Sequence, residues 1–201
     1  MPYDPEHHHR RSVRLPGYDY AHADAYFVTV VAQDRACLFG EVIDAEVRVS
    51  EAGLVIESWW RYLAGKFPGV MMDVFVVMPN HLHGIVLIGT GGQDEGGDQR
   101  EMLVAGPGAD TGAPLPAGGV SEPVTPSLDT IVQWFKTMTT NDYIRGVKTD
   151  GWPPFSGRLW QRSYHEHVIR NDRALDRIRA YIATKPVRWQ DDEENPERLG
   201  R

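Results

Sequence analysis

Two almost continuously apolar runs, Val70 to Met78 and His81 to Ile88, meet at Pro79-Asn80, and no other feature constrains the fold so tightly. Val, Ile, Phe and Met at this density suit a pleated strand and Pro-Asn is a turn dipeptide, so the segment predicts a β-hairpin. Because neither strand alternates cleanly between apolar and polar residues, both are expected in the middle of a sheet covered on its faces. His81 and His83 sit two positions apart in the second strand, which puts both imidazoles on one face of it. Imidazoles inside an apolar strand are costly to bury unless a metal ion or hydrogen-bonding neighbours satisfy their nitrogens. The spacing by itself also fits two ordinary core or surface histidines, since the chain has eight.

The other elements follow from caps and periodicity. Residues 25–32 (AYFVTVVA) predict a first strand, with Gln33 to Arg35 as a polar turn. Ser50 can cap a helix with Val55, Trp59, Tyr62 and Leu63 on its apolar stripe, stopped by Phe67-Pro68. Ser127 opens a second helix with Leu128, Ile131, Phe135 and Met138 on one face. Arg158 to Ile169 predicts another strand, and Asn171 caps a last helix with Leu175, Ile178, Tyr181 and Ile182 inward, ended by Pro186. The order β, α, β, β, α, β, α predicts an α+β fold of the ferredoxin-like or RRM-like kind, an antiparallel sheet with helices packed on one face.

This unit spans residues 17–190. Residues 1–16 form a basic N-terminal arm, and residues 89–126, rich in Gly, Pro and acid with few large apolar side chains, interrupt the unit as a flexible insert. Residues 191–201 read as an acidic tail. The formal charge of −7 argues at first against a nucleic-acid partner, whose phosphates reward Lys and Arg. The distribution reverses that argument. The insert holds six acids against one base and the tail five against two, whereas residues 127–190 carry eleven Lys and Arg against six Asp and Glu. The lone cysteine, Cys37, excludes an internal disulfide and a thiolate cluster, so a metal site here must use His and oxygen ligands. No run approaches the roughly 18 apolar residues of a membrane span and no secretory signal is evident, so a cytoplasmic protein without a membrane partner is expected.

The segment VVMPNHLHGIVLI resembles the HUH motif of the IS200-like single-tyrosine transposases, in particular their REP-associated branch. Other segments resemble the same family in the same order: RRSVRLPGYDY with AYFVTVVAQDR, FKTMTTNDYIRG, LWQRSYHEHVIRN and YIATKPVRW. The resemblance implies an HUH endonuclease fold, with His81 and His83 holding Mg²⁺ or Mn²⁺ and Tyr181 as nucleophile. It implies cleavage and rejoining of hairpin-flanked single-stranded DNA through a covalent 5′-phosphotyrosine, in a nucleoid-associated setting. The resemblance leaves two assemblies open: a homodimer that exchanges tyrosine helices, as in IS200-like relatives, or a monomer, as in the REP-associated branch.

One position departs from the family. Four residues after the tyrosine the pattern has Asn or Gln as third metal ligand, and this chain has Lys185, whose ammonium offers donors only. His167 and Glu166 are the alternative ligands, and a further option is that the Lys185 ammonium stabilises phosphate charge. DNA contacts are expected from Arg10, Arg11 and Arg14 on the arm and from Lys136, Arg145, Lys148, Arg158 and Arg162, with Trp152, Trp160 and Tyr164 available to stack on bases. Tyr164 is the rival nucleophile. Two other functions remain open at this point: a hairpin DNA-binding protein of the same fold that does not cut, and an RRM-like RNA-binding module with structural histidines.

Overall fold

The computed structural model describes residues 24–89 and 125–199, so Arg10, Arg11 and Arg14, and nearly all of the 89–126 insert, lie outside the described residues. Four antiparallel strands form the main sheet: β1 (Asp24–Val31), β4 (Val70–Met78), β5 (His81–Ile88) and β6 (His165–Ile169), in the order β4-β5-β1-β6. The first and third sheet strands in chain order are therefore neighbours, with the second and fourth outside them, the arrangement of a ferredoxin-like fold. The predicted hairpin is present at the expected residues. Its second strand, β5, is central, while β4 is an edge strand with Met71 and Val74 exposed, so only one of the two apolar runs is buried along its length.

Helices α1 (Glu51–Lys66) and α2 (Leu128–Thr149) cover one face of the sheet. Ser50 and Ser127 cap them as expected, each Oγ accepting from the amide three residues on. The α1 stripe is rotated from the expected one: Ile56 and Trp60 are fully buried, and Val55 and Tyr62 only partly. Trp60 reaches the sheet because β5 has glycine opposite it; a Cβ at Gly84 would lie 2.4 Å from the indole. Tyr26, Val28 and Val30 of β1 and Leu82 and Val86 of β5 complete this core. Among the described residues no helix is long and apolar enough to cross a membrane.

The intervening strand residues point to the other face, where α3 (Asp172–Ala183) crosses, capped by Asn171. Ile178 and Ile182 seat it on Phe27, Ile85 and Ile169, and Arg179 donates to the Asp73 carboxylate of β4 at 2.6 and 2.9 Å.

Three features depart from the sequence reading. A second hairpin, β2 (Gly40–Ile43) with β3 (Glu46–Val49), precedes α1; its turn residues Asp44 and Ala45 both have positive φ. The strand expected from Arg158 forms only at His165, because the Lys136 ammonium takes the carbonyls of Gln161, Arg162 and Ser163 at 3.0 to 3.3 Å, and those groups are lost to any ladder. Residues 191–199 of the segment read as an acidic tail are folded against the sheet: a 3₁₀ stretch (Pro186–Asp191) and the short α4 (Pro196–Leu199) follow α3. Glu194 pairs with Arg35 at 2.7 Å to hold it there.

Candidate metal and tyrosine site

The register of the sheet builds the site. Val31 of β1 pairs with His81, and Thr29 pairs with His83 on one side and His165 on the other, so one polar patch interrupts the α3-side face. Phe27, two residues along, lies across from Ile85 and His167 and returns that face to apolar contacts.

Asn80, which the sequence marks only as a turn residue, orients the first imidazole. Its Nδ2 donates to the carbonyls of Arg35 at 2.9 Å and Glu194 at 2.7 Å, which turns its Oδ1 toward His81 Nδ1 at 2.8 Å. A carbonyl oxygen only accepts, so His81 carries its proton on Nδ1 and presents a lone pair at Nε2. His83 Nδ1 lies 2.8 Å from the Thr29 hydroxyl, and the two Nε2 atoms face each other at 3.0 Å. Burial pushes the His81 imidazole down to about 4, with the Asp192 carboxylate acting against that shift and the Lys185 ammonium adding to it. Burial also holds His83 well below the usual imidazole range, helped by His81, Lys185 and His165. Both rings are therefore neutral at neutral pH, the form that binds metal.

A small divalent cation fits this donor set. Adjacent ligands of an octahedral ion at about 2.1 Å are separated by about 3 Å, the spacing of the two Nε2 atoms. Asp192 adds an oxygen, with Oδ2 3.8 Å from His81 Nε2, and suitable ligand atoms of His81, His83 and Asp192 all lie within 4.8 Å of one another. These three residues are a group that could hold a metal ion. Asp192, rather than His167 or Glu166, is the third residue of that group. His167 is exposed and beside Phe27, and Glu166 is buried on the opposite face across from Val28; the histidine of that strand that reaches the cavity is His165.

Tyr181 stands over the same patch. Its ring centroid is 5.7 Å from that of His83 and 5.8 Å from that of Phe27, both edge-on, and the residue is 41% exposed. Lys185, one turn further, lies 4.6 Å from the Tyr181 ring centroid and donates to Asp192 Oδ2 at 2.8 Å. Burial opposes the Lys185 charge, but the Asp192 and Tyr181 interactions prevail and its pKa is raised; burial likewise opposes the Asp192 charge, and its hydrogen bonds and the nearby charges hold it below the usual carboxylate range. His83, Tyr181, Lys185 and Asp192 open together into a cavity of about 460 Å³, whose rim adds Arg188 and Glu194.

The residues expected to contact DNA divide. Arg158 and Arg162 are exposed around a second cavity, and Lys148 is exposed on α2. Arg145 pairs with Asp142 at 3.0 Å. Trp160 is not available to stack on a base: it is 3% exposed, packs on Phe39 and Phe135, and donates from Nε1 to Thr139. Lys136 is likewise committed to its three carbonyls. Trp152 packs on Tyr143 and donates to Glu51, and Tyr164 is bonded to Asp129, with burial first and the Glu166 and Asp129 carboxylates next raising its pKa far above the usual phenol range. Tyr164 is thus a much poorer nucleophile than its position in the sequence suggests.

No family model matches the chain. An uncharacterized protein of Haemophilus influenzae is 32% identical over 189 residues, covering 92% of this chain and 93% of that protein. Among solved structures, a REP-associated tyrosine transposase bound to a REP hairpin has a similar fold, with TM-score 0.52 and 16% identity over 85% of this chain and 71% of that one.

Proposed function

For a chain that belongs to the same family as the Haemophilus influenzae protein and has the fold of a REP-associated tyrosine transposase, we propose a metal-dependent DNA strand transferase that cuts and rejoins hairpin-flanked single-stranded DNA. One observation carries the reading: a half-exposed tyrosine ring lies edge-on to His83 in one cavity of one chain, and the His83 Nε2 atom faces that of the buried, neutral His81. A divalent cation such as Mg²⁺ or Mn²⁺, held by His81, His83 and Asp192, would polarise the scissile phosphodiester there.

Tyr181 is the nucleophile. Its Oη bonds to phosphorus, the P–O3′ bond breaks, and the 3′-oxygen leaves as a hydroxyl with the proton that the phenol gives up. The 5′-phosphotyrosine conserves the bond energy, so a second 3′-hydroxyl reverses the step without a nucleotide cofactor. The Lys185 ammonium, beside both the ring and Asp192, lowers the cost of the charge that develops on phenol and phosphate oxygens. Asn80 and Thr29 hold the imidazoles in place, as positioning residues.

The ion pair between Lys185 and Asp192 favours one alternative, a protein that binds hairpin DNA without cutting, because it ties up the oxygen ligand with an internal cation. A 3′-labelled hairpin-flanked strand separates the two. Cleavage predicts a detergent-resistant protein–DNA adduct in Mn²⁺, absent with Tyr181→Phe or chelator; binding without an adduct in wild type supports the alternative. The RNA-module reading needs an open, aromatic sheet face, whereas α3 covers that face and Phe27 lies against His83 and Tyr181.

A further inference from the structure

The second cavity, about 480 Å³, lies between α2 and the loop before β6. Gln133, Thr137 and Asn141 of α2 line one wall, and Gly157, Arg158 and Arg162 of the loop line the other. Among the described residues no carboxylate lines it, in contrast to the tyrosine cavity with Asp191, Asp192, Glu193 and Glu194. Arg158 and Arg162 are exposed, and among the described residues their guanidinium groups, like the amides of Gln133 and Asn141, have no partner. The loop that carries the arginines is fixed: Lys136 ties down three of its carbonyls, Trp160 is buried under it, and Gln161 N donates to Val31 O at 2.9 Å.

That last bond locates the loop backbone. Val31 is the β1 partner of His81, so the loop backbone lies two chain spacings, about 10 Å, from the metal-capable histidine. The cavity itself opens on the α2 side of the sheet and the tyrosine site on the α3 side, so a single strand that occupies both passes round the end of β1 beside this loop.

We propose that this cavity is a nucleotide subsite that grips a backbone phosphate of single-stranded DNA between Arg158 and Arg162 and offers Gln133 and Asn141 to the edge of an unpaired base. The arginines supply charge and forked donors without a competing internal anion. The amides supply a donor and an acceptor each, the pairing that a base edge needs once it is unstacked. The fixed loop means that little order is lost on binding. The inference rests on the strand-transferase reading but concerns residues that take no part in bond breaking.

The test is fluorescence anisotropy of a labelled short single strand of randomised sequence. It is measured over a range of salt with the full chain carrying Tyr181→Phe, so that nothing is cut. Arg158→Gln/Arg162→Gln is expected to weaken binding about tenfold or more and to flatten the log-affinity against log-salt slope by about 0.7, one single-strand phosphate's worth. Arg48→Gln, on exposed β3, is expected to change neither, and equal melting temperatures show that the fold is retained. Gln133→Ala/Asn141→Ala is expected to erase a base preference, read by sequencing the bound strands, at an unchanged slope. Strong binding by the parent together with unaltered affinity and slope in the double arginine variant overturns the subsite while leaving the tyrosine site standing. Failure of the parent to bind any strand overturns both.

Discussion

The two faces of one sheet do opposite work from the same strands. On the α1–α2 face, Leu82, Gly84 and Val86 of β5 meet Trp60 and Phe135 in a close-packed apolar layer. On the α3 face, His81 and His83 from the same strand meet Thr29, Tyr181, Lys185 and Asp192 beside an open cavity. Strand periodicity allows this separation, since adjacent residues never share a face. The apolar face provides the stability that allows neutral histidines and an ion pair to be held in place on the other; chemistry is concentrated where packing is least complete.

That contrast makes separable predictions. The largest effect is expected on the polar face: His81→Ala/His83→Ala lowers adduct formation at least about a thousandfold with the fold retained, measured by gel and circular dichroism. An equal loss from a polar-face variant through unfolding would erase the distinction. On the apolar face, Trp60→Ala is expected to cost about 3–5 kcal/mol in denaturant unfolding, while adduct yield per folded molecule stays near wild type.

The acid dependence sharpens the comparison. An unfolded histidine binds a proton near pH 6.5, but folded His81 does so only at about 4. Protons therefore favour the unfolded chain in that window: the stability is fully present above 6.5 and is lost as pH falls toward 4, by about 3 kcal/mol from this residue in metal-free protein. His83 and Asp192 shift in the same sense. His81→Leu is expected to flatten the profile, whereas Trp60→Ala lowers it at every pH. The smallest effect on the chemistry is expected from Asp192→Asn, which lowers Mn²⁺ affinity about tenfold by calorimetry and also lowers stability at neutral pH, because the buried Lys185 ammonium loses its anion.

The elements that build the sheet were legible because their signals are local. The apolar hairpin, the Ser50, Ser127 and Asn171 caps and the paired histidines are all read within a few residues. The β2–β3 hairpin escaped because its turn is Asp-Ala, without the glycine that usually marks positive φ. Asp192 escaped for a different reason. It lies over a hundred positions from His81, in a segment whose charge reads as solvated, and only the fold of residues 186–195 brings it in. Strand phase puts His165 and His167 on one face, but only the register with Thr29 tells which of them reaches the cavity. Trp160 and Lys136 show the limit of composition: both lie in a basic stretch with aromatics, and both are used by the fold itself.

The central claim is spatial, that the phenol of Tyr181 and the cation held by His81 and His83 belong to one site within one chain. Fluorotyrosine incorporated into the chain, with the Tyr181 resonance assigned by Tyr181→Phe, tests it through fluorine NMR in a titration with Mn²⁺. The paramagnetic ion is expected to broaden the Tyr181 signal beyond detection at one equivalent in wild type and to leave it sharp in His81→Ala/His83→Ala. A Tyr181 signal that stays sharp while one equivalent of Mn²⁺ binds at the histidines would contradict it.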